Sequence, residues 1–458
     1  MKVYQGICSF IVLSLLLLTA CKKYVDIQPK GKIVPTTLND FQLLLNNSNV
    51  FNMAGGSTDF MTDDVAFTDT SMFSSLQPYS ILNTYEWANN IYNANDNDPD
   101  WNGYYQQIYY ANIVINGAPG ATEGTDTAIA TLIAKAKVHR AFSYLGLVNQ
   151  YATQYDSATA AQDPGVPLLL APTYTQKLNR ATVKAVYDQI LSDLGSSVSA
   201  LPGLPAFNTD PSRTAAYALL ARTYLYMGNY PAALLYADST LQLQNTLLDL
   251  RPYGNASSPF VYLGMPLSNQ NPEVILMKAA DNEDAPILLS PELLNLFSPD
   301  DIRFQAFAIG GELLENYNGY FFSYISPLES RHEGPRVGEV YMIKAECQVR
   351  TGDIQGGLQT ANLLRQMRFS TSTYTPLTAT GQQDALAQVL QERRRELMGR
   401  GFRLTDLKRL NKDPALAKTV IHPLATGSIS QPPNSNLFIF PIAPNVLAAN
   451  PEIGQSPR

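Results

Sequence analysis

Apolar residues recur every three or four positions along several long stretches of the chain, which is the spacing that places them on one face of an α-helix. The clearest stretch, residues 215–241, carries Tyr217, Leu220, Ala221, Tyr224, Gly228, Tyr230 and Ala233 at the positions of a tetratricopeptide unit. A second copy is visible at Tyr341, Ala345, Gly352 and Gly357, where the interval from Ala345 to Gly352 equals that from Ala221 to Gly228. Such a unit is a helix pair that cannot bury its own apolar face, so the pattern predicts several stacked units.

Weaker copies of this pattern begin near Trp101 and near Ala141. We therefore predict a mainly α fold. Its scaffold should consist of tetratricopeptide-like helical repeats over about residues 101–245 and 337–411.

Two long stretches, about residues 52–100 and 248–335, lack a sustained helical period. Both mix turn-forming residues with many aromatics, and apolar pieces such as residues 273–277 have the length of short strands. Long insertions on a helical stack are more often functional than idle. We predict that they form a loop-rich second subdomain with short strands, inside a single domain of residues 37–458, and that they carry the ligand-binding site.

The start of the chain has a different character. An apolar run at residues 7–18 is followed by Leu-Thr-Ala-Cys at residues 18–21, a small-residue cleavage site that ends in cysteine. The run is shorter than the ~20 residues that span a bilayer, and lysines follow at once, as in a lipoprotein signal peptide. We predict that residues 1–20 are removed, that lipid on Cys21 anchors the protein to a membrane, and that residues 21–36 form a tether. The alternative is an ordinary secretory signal in which this cysteine has no role.

The charge of the chain argues against a nucleic-acid-binding surface. The formal charge is −7, whereas such surfaces show a basic stripe. The dense basic stretch between residues 393 and 409 is interleaved with Glu392, Glu396 and Asp406. This pattern predicts a helix with many ion pairs.

Common catalytic motifs are missing from the sequence. His139, His332 and His422 are far apart and none belongs to a two-histidine helical metal motif. There is neither a Gly-x-Ser-x-Gly elbow nor a phosphate-binding glycine-rich loop. Asp63 and Asp64 are adjacent carboxylates of the kind that cleave glycosides, but in a loop of this composition solvated acids or loop caps are the favoured interpretation. We predict a protein that is not an enzyme and uses no cofactor.

An acidic run, residues 95–100, offers oxygen ligands at alternating positions, as a calcium loop does. Counted from Asp96, however, the sixth position is Trp101 instead of glycine, and the twelfth is Gln107 instead of a bidentate glutamate. We therefore predict no metal site, with structural calcium as the alternative.

Sugar recognition needs a flat apolar platform together with side-chain amides and carboxylates, because sugar rings stack on aromatics while their hydroxyls need directed hydrogen bonds. Two groups of residues in the insertions fit this need. The first consists of Tyr85, Trp87, Asn89, Asn90 and Asp96, and the second of Phe321, Phe322, Tyr324 and Arg331. The alternative for Trp87 is that it fills the junction between the loop and the helical scaffold.

Several motifs in fixed order resemble the SusD/RagB family. They are CKKYVDIQPKG at residues 21–31, GVPL at 165–168, RATV at 180–183, YDQI at 187–190, ERRREL at 392–397, GFR at 401–403, DLKR at 406–409, FPI at 440–442 and NP at 450–451. Each motif alone is weak evidence for the family. Together, in this order and around two tetratricopeptide-like units, the motifs are specific evidence for it.

The resemblance implies a lipoprotein on the outer surface of the outer membrane of a Bacteroidetes-like cell. Family members bind glycans or other oligomeric nutrients and act as lids over a SusC-like, TonB-dependent transporter, which would be the partner here. The motif residues are structural in the family, so no ligand contact is carried over. Two other functions remain open at this point: a tetratricopeptide scaffold that binds a partner protein, and a surface glycoside hydrolase.

Overall fold

The structure of the protein is a computed structural model, which describes residues 34–67, 79–173, 177–253, 265–280, 286–311, 318–322, 331–424 and 426–458. The predicted signal peptide, Cys21 and Tyr324 lie outside the described residues. Among those described, no helix combines the length and the apolar character needed to cross a membrane.

Helices make up most of the regular structure. They are α1 (Leu38–Leu45), α2 (Ser48–Phe51), α3 (Tyr79–Tyr85), α4 (Pro99–Gly117), α5 (Asp126–Tyr151), α6 (Val183–Ser197), α7 (Arg213–Tyr226), α8 (Tyr230–Leu243), α9 (Pro291–Leu294), α10 (Ile302–Phe307), α11 (Val337–Arg350), α12 (Ile354–Gln366), α13 (Gln382–Glu396), α14 (Arg403–Leu410) and α15 (Pro444–Ala449). Short 3₁₀ turns occur at Thr58–Met61, Ala118–Gly120, Arg251–Tyr253, Asn436–Phe438 and Pro451–Ile453.

The strands are short and pair in twos. They are β1 (Met53–Ala54), β2 (Pro164–Pro167), β3 (Arg180–Thr182), β4 (Ala279–Ala280), β5 (Ala308–Gly310), β6 (Tyr320–Phe322), β7 (Val420–Leu424) and β8 (Gly427–Gln431). β1 and β4 pair in parallel, whereas β2–β3, β5–β6 and β7–β8 are antiparallel.

Helix pairs stack as the repeat pattern predicts. α4 packs on α5, α5 on α6, α7 on α8, and α11 on α12, and further contacts of α11 with α8 and α13 join the units into one scaffold. Polar caps begin these helices: the side chains of Thr125, Ser212 and Asp353 accept hydrogen bonds from backbone N–H groups in the first turns of α5, α7 and α12. The prediction of a mainly α, tetratricopeptide-like fold is confirmed.

The recurring glycine of the two clear repeats has a conformational cause. Gly228 and Gly352 adopt φ angles of 73° and 97° in the turns that link α7 to α8 and α11 to α12. These left-handed conformations suit glycine because it has no Cβ. Gly357 has a different role, since a Cβ added there would lie 2.8 Å from the carbonyl oxygen of Ala345 on the paired helix.

Apolar side chains form separate cores for the scaffold and the second subdomain. The largest core fills the helical stack around residues such as Leu147, Ile190, Leu219 and Ile343. Another unites the loop-rich segments around α9, α10 and β6. Cys347 is a buried free thiol in α11.

Buried ion pairs join the two parts. Arg303 of α10 lies within 2.8 Å of Glu392 and 3.0 Å of Glu396 on α13. Glu396 also pairs with Arg368 at 2.8 Å. The ion pairs predicted for the basic stretch are therefore present, but Glu392 and Arg393 are fully enclosed, so this helix is an internal element of the fold.

Candidate functional site

An aromatic group lies at the surface of the second subdomain. The rings of Phe297 and Phe304 have centroids 6.2 Å apart, and those of Phe304 and Tyr320 are 5.2 Å apart. Tyr320 is exposed to 37% of its maximum, and both phenylalanines are half-buried. We call Phe297, Phe304 and Tyr320 the aromatic surface.

Local periodicity positions these rings. Tyr320 and Phe322 point to the same side of β6 because side chains alternate along a strand. Phe304 and Phe307 share one face of α10 because they are three residues apart. The inner pair, Phe307 and Phe322, is buried with ring centroids 6.3 Å apart. The outer pair, Phe304 and Tyr320, lies nearer to the surface.

Hydrogen bonds support the base of the aromatic surface. Asp301 caps α10 and accepts two hydrogen bonds from the Arg303 guanidinium, at 2.9 Å and 2.7 Å. On the other side, β5 pairs with β6 in the register Ala308↔Phe322 and Gly310↔Tyr320. Arg303 also pairs with Glu392 and Glu396, so buried ion pairs link α10 to α13.

A side-chain amide accompanies the rings. Gln305 follows Phe304 in α10, and its Nε2 donates to the carbonyl oxygen of Pro299 at 2.8 Å. Its Oε1 has no hydrogen-bond partner. This oxygen is buried, so it is not accessible to a ligand at the surface.

The structure buries the two aromatics of the first predicted group. Tyr85 and Trp87 are 0% and 2% exposed. Their rings stack on opposite sides of His422, at centroid distances of 4.1 Å and 3.9 Å, and Trp87 Nε1 donates to the carbonyl oxygen of Met61 at 3.2 Å. Burial is incompatible with a ligand platform at these positions. The geometry instead matches the alternative, in which Trp87 fills the junction between loop and scaffold.

The polar members of the first group lie near the buried rings of Tyr85 and Trp87 in sequence but do not form a site with them. Asn89 and Asn90 are exposed. Asp96 is half-buried, and its Oδ2 accepts hydrogen bonds from the backbone and side-chain nitrogens of Asn93 at 2.8 Å and 3.0 Å. Without an accessible ring beside them, these residues lack the platform that motivated the prediction.

The second predicted group is closer to the aromatic surface. Phe321 is half-buried and Phe322 is buried under Tyr320. Arg331 forms an ion pair with Asp59 and donates to the carbonyl oxygen of Gly56 at 2.8 Å, so it braces the fold. The sequence interpretation overlooked Tyr320 itself, although strand alternation with Phe322 was a usable signal.

The adjacent acids Asp63 and Asp64 are buried, which corrects their interpretation as solvated residues. Asp63 Oδ1 accepts from Arg403 at 2.7 Å, and Asp64 Oδ1 accepts from Arg394 at 2.7 Å. Burial by itself would raise the pKa of Asp63, but Arg403, Arg394 and Lys418 together lower it well below its usual value. Both carboxylates are thus engaged in structural ion pairs.

The acidic run at residues 95–100 is built into the helix start. Asp98 Oδ1 accepts from the backbone N–H of Trp101 at 3.1 Å, and Asp98 Oδ2 accepts from the Tyr151 hydroxyl at 2.6 Å. Asp100 accepts from Gln150 and from the backbone of Gly56. Within the part of the chain that the structure describes, no three acidic, histidine or cysteine side chains are grouped as a metal site.

Two family models match the chain. One, described as SusD-like and as starch-binding associating with outer membrane, matches residues 23–225, and the SusD family model matches residues 335–458. A search of curated proteins finds no match.

Several solved structures share this fold. A SusD superfamily protein from Bacteroides thetaiotaomicron is 20% identical, with 92% of this chain and 100% of that chain covered and a TM-score of 0.72. A protein from Bacteroides vulgatus, named putatively as a sugar-binding protein, is 20% identical, with 93% of this chain and 99% of that chain covered and a TM-score of 0.71. A laminarin-binding SusD-like protein is 20% identical, with 92% of this chain and 100% of that chain covered and a TM-score of 0.65. At this level of identity, the likeness establishes the fold.

Proposed function

Because the chain belongs to the SusD/RagB family, we propose that it is an outer-membrane protein that binds an oligosaccharide at the aromatic surface and does not cleave it. The observation that carries the proposal is the group formed by exposed Tyr320 and half-buried Phe304 and Phe297. Apolar side chains that are grouped at a surface can mark a binding site.

The chemistry of the aromatic surface suits a sugar chain. The apolar face of a pyranose ring packs on an aromatic ring, and consecutive rings several ångströms apart can take consecutive sugar units.

The comparisons support a carbohydrate as the ligand class. One matching family model is described as starch-binding, and among the structural neighbours are a sugar-binding protein, so named putatively, and a laminarin-binding protein. Binding without cleavage is supported by the ion pairs that Asp63 and Asp64 form. These carboxylates are held in ion pairs with Arg403 and Arg394 and have no free position beside a glycosidic bond.

Replacing two rings of the aromatic surface tests the binding site. We expect Tyr320→Ala and Phe304→Ala each to weaken binding of laminarin or starch oligosaccharides at least tenfold, measured by isothermal titration calorimetry, because each removes a stacking surface. Phe207→Ala is the matched control, since Phe207 is 74% exposed in the connection between α6 and α7 and lies outside the aromatic surface. Unchanged affinity in both test variants would reject this site.

We further propose that lipid on Cys21 anchors the protein at the cell surface, where it works with a SusC-like, TonB-dependent transporter. The description of the family as associating with the outer membrane supports this location. Mass spectrometry of the membrane fraction should detect an acylated Cys21 as the first residue, and Cys21→Ser should release the protein from membranes. If the native protein is purified from membranes and no β-barrel protein copurifies with it, the transporter proposal is contradicted.

A further inference from the structure

The ammonium group of Lys278 is buried where the second subdomain meets the scaffold. Lys278 is 0% exposed and precedes strand β4, which pairs in parallel with β1. Its Nζ contacts three scaffold atoms: the carbonyl oxygen of Phe51, Gln107 Oε1 at 2.8 Å and His139 Nδ1 at 3.1 Å. These atoms belong to α2, α4 and α5. One lysine side chain therefore ties residues 274–280 to three helices of the scaffold.

The partners of Lys278 are neutral groups. Buried lysines are normally paired with acids, but in the part of the chain that the structure describes no carboxylate pairs with Lys278. The Phe142 ring lies 4.6 Å from Nζ and covers another side of it. Burial lowers the pKa of Lys278 well below its usual value. The site therefore depends on neutral acceptors, and one of these, His139, can itself take up a proton.

Neighbouring contacts fix the orientation of these acceptors. Gln107 Nε2 donates to the carbonyl oxygen of Met53 at 3.0 Å, so Gln107 Oε1 is left to accept from Lys278. The His139 ring packs on the Phe51 ring, with centroids 4.5 Å apart. Gln107 and His139 are 0% and 1% exposed. Both acceptors are therefore shielded from bulk water.

The three contacts of Lys278 Nζ have room for three protons. An ammonium group fills all of them when His139 is neutral and its Nδ1 accepts. If His139 instead carries a proton on Nδ1, Lys278 must be a neutral amine that accepts it. An imidazolium beside an ammonium would place two N–H groups face to face across 3.1 Å, with both charges buried. The pair therefore holds at most one positive charge in the folded protein.

Charged groups on α5 add to this restriction. Lys135, one turn before His139 on α5, is itself positive and pairs with Asp210 at 2.9 Å. Burial, followed by the charges of Lys278 and Lys135, lowers the pKa of His139 well below its usual value. A second positive charge at the pair is therefore opposed by its neighbours along the helix.

Residues 331–336 pack against the other side of the lysine segment. The backbone N–H of Glu333 donates to the carbonyl oxygen of Lys278 at 2.8 Å, and the Glu333 carboxylate lies 3.7 Å from Arg331. His332 is also buried there, and burial, followed by the charge of Arg336, lowers its pKa well below its usual value. His332 is thus the other titratable imidazole next to this segment, and it needs its own control.

We propose that Lys278 and His139 form a pH-sensitive latch, which holds residues 274–280 of the second subdomain on the scaffold at neutral pH and releases them in acid. Uptake of a proton converts His139 Nδ1 from an acceptor into a donor, so the contact with Lys278 is lost. No covalent bond changes in this step, and the proton comes from solvent. The latch does not depend on which ligand the aromatic surface binds.

Hydrogen exchange followed by mass spectrometry tests the latch. The backbone N–H groups of Ala279 and Ala280 donate to carbonyl oxygens at 2.6 Å and 2.7 Å, so peptides covering residues 274–280 report its opening. The open state binds one more proton than the closed state in mild acid. Protection, corrected for intrinsic exchange rates, should therefore fall roughly tenfold from about pH 6 to about pH 5. Protection in α12 is the internal control and should not fall. An equal fall there would overturn a local latch.

Two substitutions distinguish His139 from the other buried imidazole of this region. His139→Asn keeps an acceptor near the position of Nδ1 and cannot take up a proton, so the fall in protection should disappear. His332→Asn is the matched control and should retain the fall. Persistence of the fall in His139→Asn, or its loss in His332→Asn alone, would overturn the proposal.

Nitrogen-15 NMR of the histidine rings tests the latch in the unsubstituted protein. The chain has three histidines, so the His139 signals can be assigned by their loss in His139→Asn or by elimination from His332→Asn and His422→Asn. At about pH 6 a free imidazole is mostly charged. His139 should be neutral there, with its proton on Nε2 and with Nδ1 as the acceptor. An imidazolium spectrum for His139 at this pH would overturn the proposal.

Discussion

At the scale of single residues, burial turns several side chains that look functional into structural ones. His422 lies between the rings of Tyr85 and Trp87, and its two ring nitrogens contact the carbonyl oxygens of Tyr85 and Thr62 at 2.7 Å and 2.8 Å. Burial lowers the pKa of His422. The imidazole, stacked between two aromatic rings, fills the junction between the loop and the scaffold.

We expect Trp87→Ala to destabilise the protein by about 3–5 kcal/mol, because it removes a large buried ring and leaves the carbonyl of Met61 unpaired. Urea unfolding followed by far-ultraviolet circular dichroism measures the loss. Asn90→Ala, an exposed change three residues away, should stay within about 0.5 kcal/mol of the parent protein. A Trp87→Ala protein of parental stability would show that the ring is not a structural plug.

A buried carboxyl group predicts a dependence of stability on pH. Burial, followed by the nearby charge of Asp100, raises the pKa of Asp98 from 3.8 to about 7. Between these two values the folded state binds more protons than the unfolded state, so the free energy of unfolding should fall as pH rises from about 4 to about 7. The effect should be on the order of a few kcal/mol.

Asp98→Asn should remove this part of the pH dependence, because an amide keeps the cap on Trp101 and cannot ionise. The measurement is urea unfolding at several pH values. Asp300→Asn, at an exposed position, is the control and should follow the parent curve. If Asp98→Asn shows the same slope as the parent protein, another group causes it.

At the scale of secondary-structure elements, turn glycines and small helix residues set the repeat. Gly228 and Gly352 take left-handed conformations between paired helices, and Gly357 allows close approach to α11. In β6 the alternation of side chains places Tyr320 and Phe322 on the same side of the strand. These features arise from neighbours along the chain.

Two glycine-to-alanine changes should have opposite effects. Gly228→Ala should destabilise the protein by about 1–2 kcal/mol, because φ 73° is a strained conformation for alanine. Gly195→Ala should stabilise it by about 0.5–1 kcal/mol, because Gly195 lies exposed within α6 and an added Cβ meets no atom within 4 Å. Thermal melting of both variants is the measurement. Destabilisation of equal size in both would refute the conformational explanation.

At the scale of the whole molecule, buried ion pairs join the second subdomain to the scaffold. Glu392 is fully buried and contacts Arg303, Arg365 and Arg395 at 2.8, 2.5 and 2.7 Å. Arg303 comes from α10, which also carries Phe304. The orientation of the aromatic surface therefore depends on this network.

We expect Glu392→Gln to destabilise the protein by about 3–5 kcal/mol, because it leaves three buried guanidinium groups with too little negative charge. Asp188→Asn is the matched control. It breaks an exposed pair with Lys184 and should cost no more than about 0.5 kcal/mol. Urea unfolding gives both values, and a Glu392→Gln protein as stable as the control would show that the network contributes little.

Tyr85 and Trp87 show why the candidate site could not be located from sequence. The sequence pattern of aromatic residues in a polar loop is the same whether their side chains are buried in the folded protein or exposed to solvent. The pattern alone therefore cannot distinguish a binding platform from a part of the core. Their burial depends on His422, which lies 337 residues from Tyr85 along the chain. Similarly, the buried state of Asp63 depends on Arg403 and Lys418 from the other end of the domain.

The sequence by itself determined the helical repeats, their turn glycines and the existence of a loop-rich subdomain, because those features depend on contacts between residues a few positions apart. Only the tertiary structure decided which aromatics face solvent, which acids are paired and where cavities remain. Those properties depend on residues that are distant in the chain and meet only when the scaffold and the second subdomain pack together. For that reason Tyr320 is exposed beside half-buried Phe304, whereas Tyr85 and Trp87 are buried.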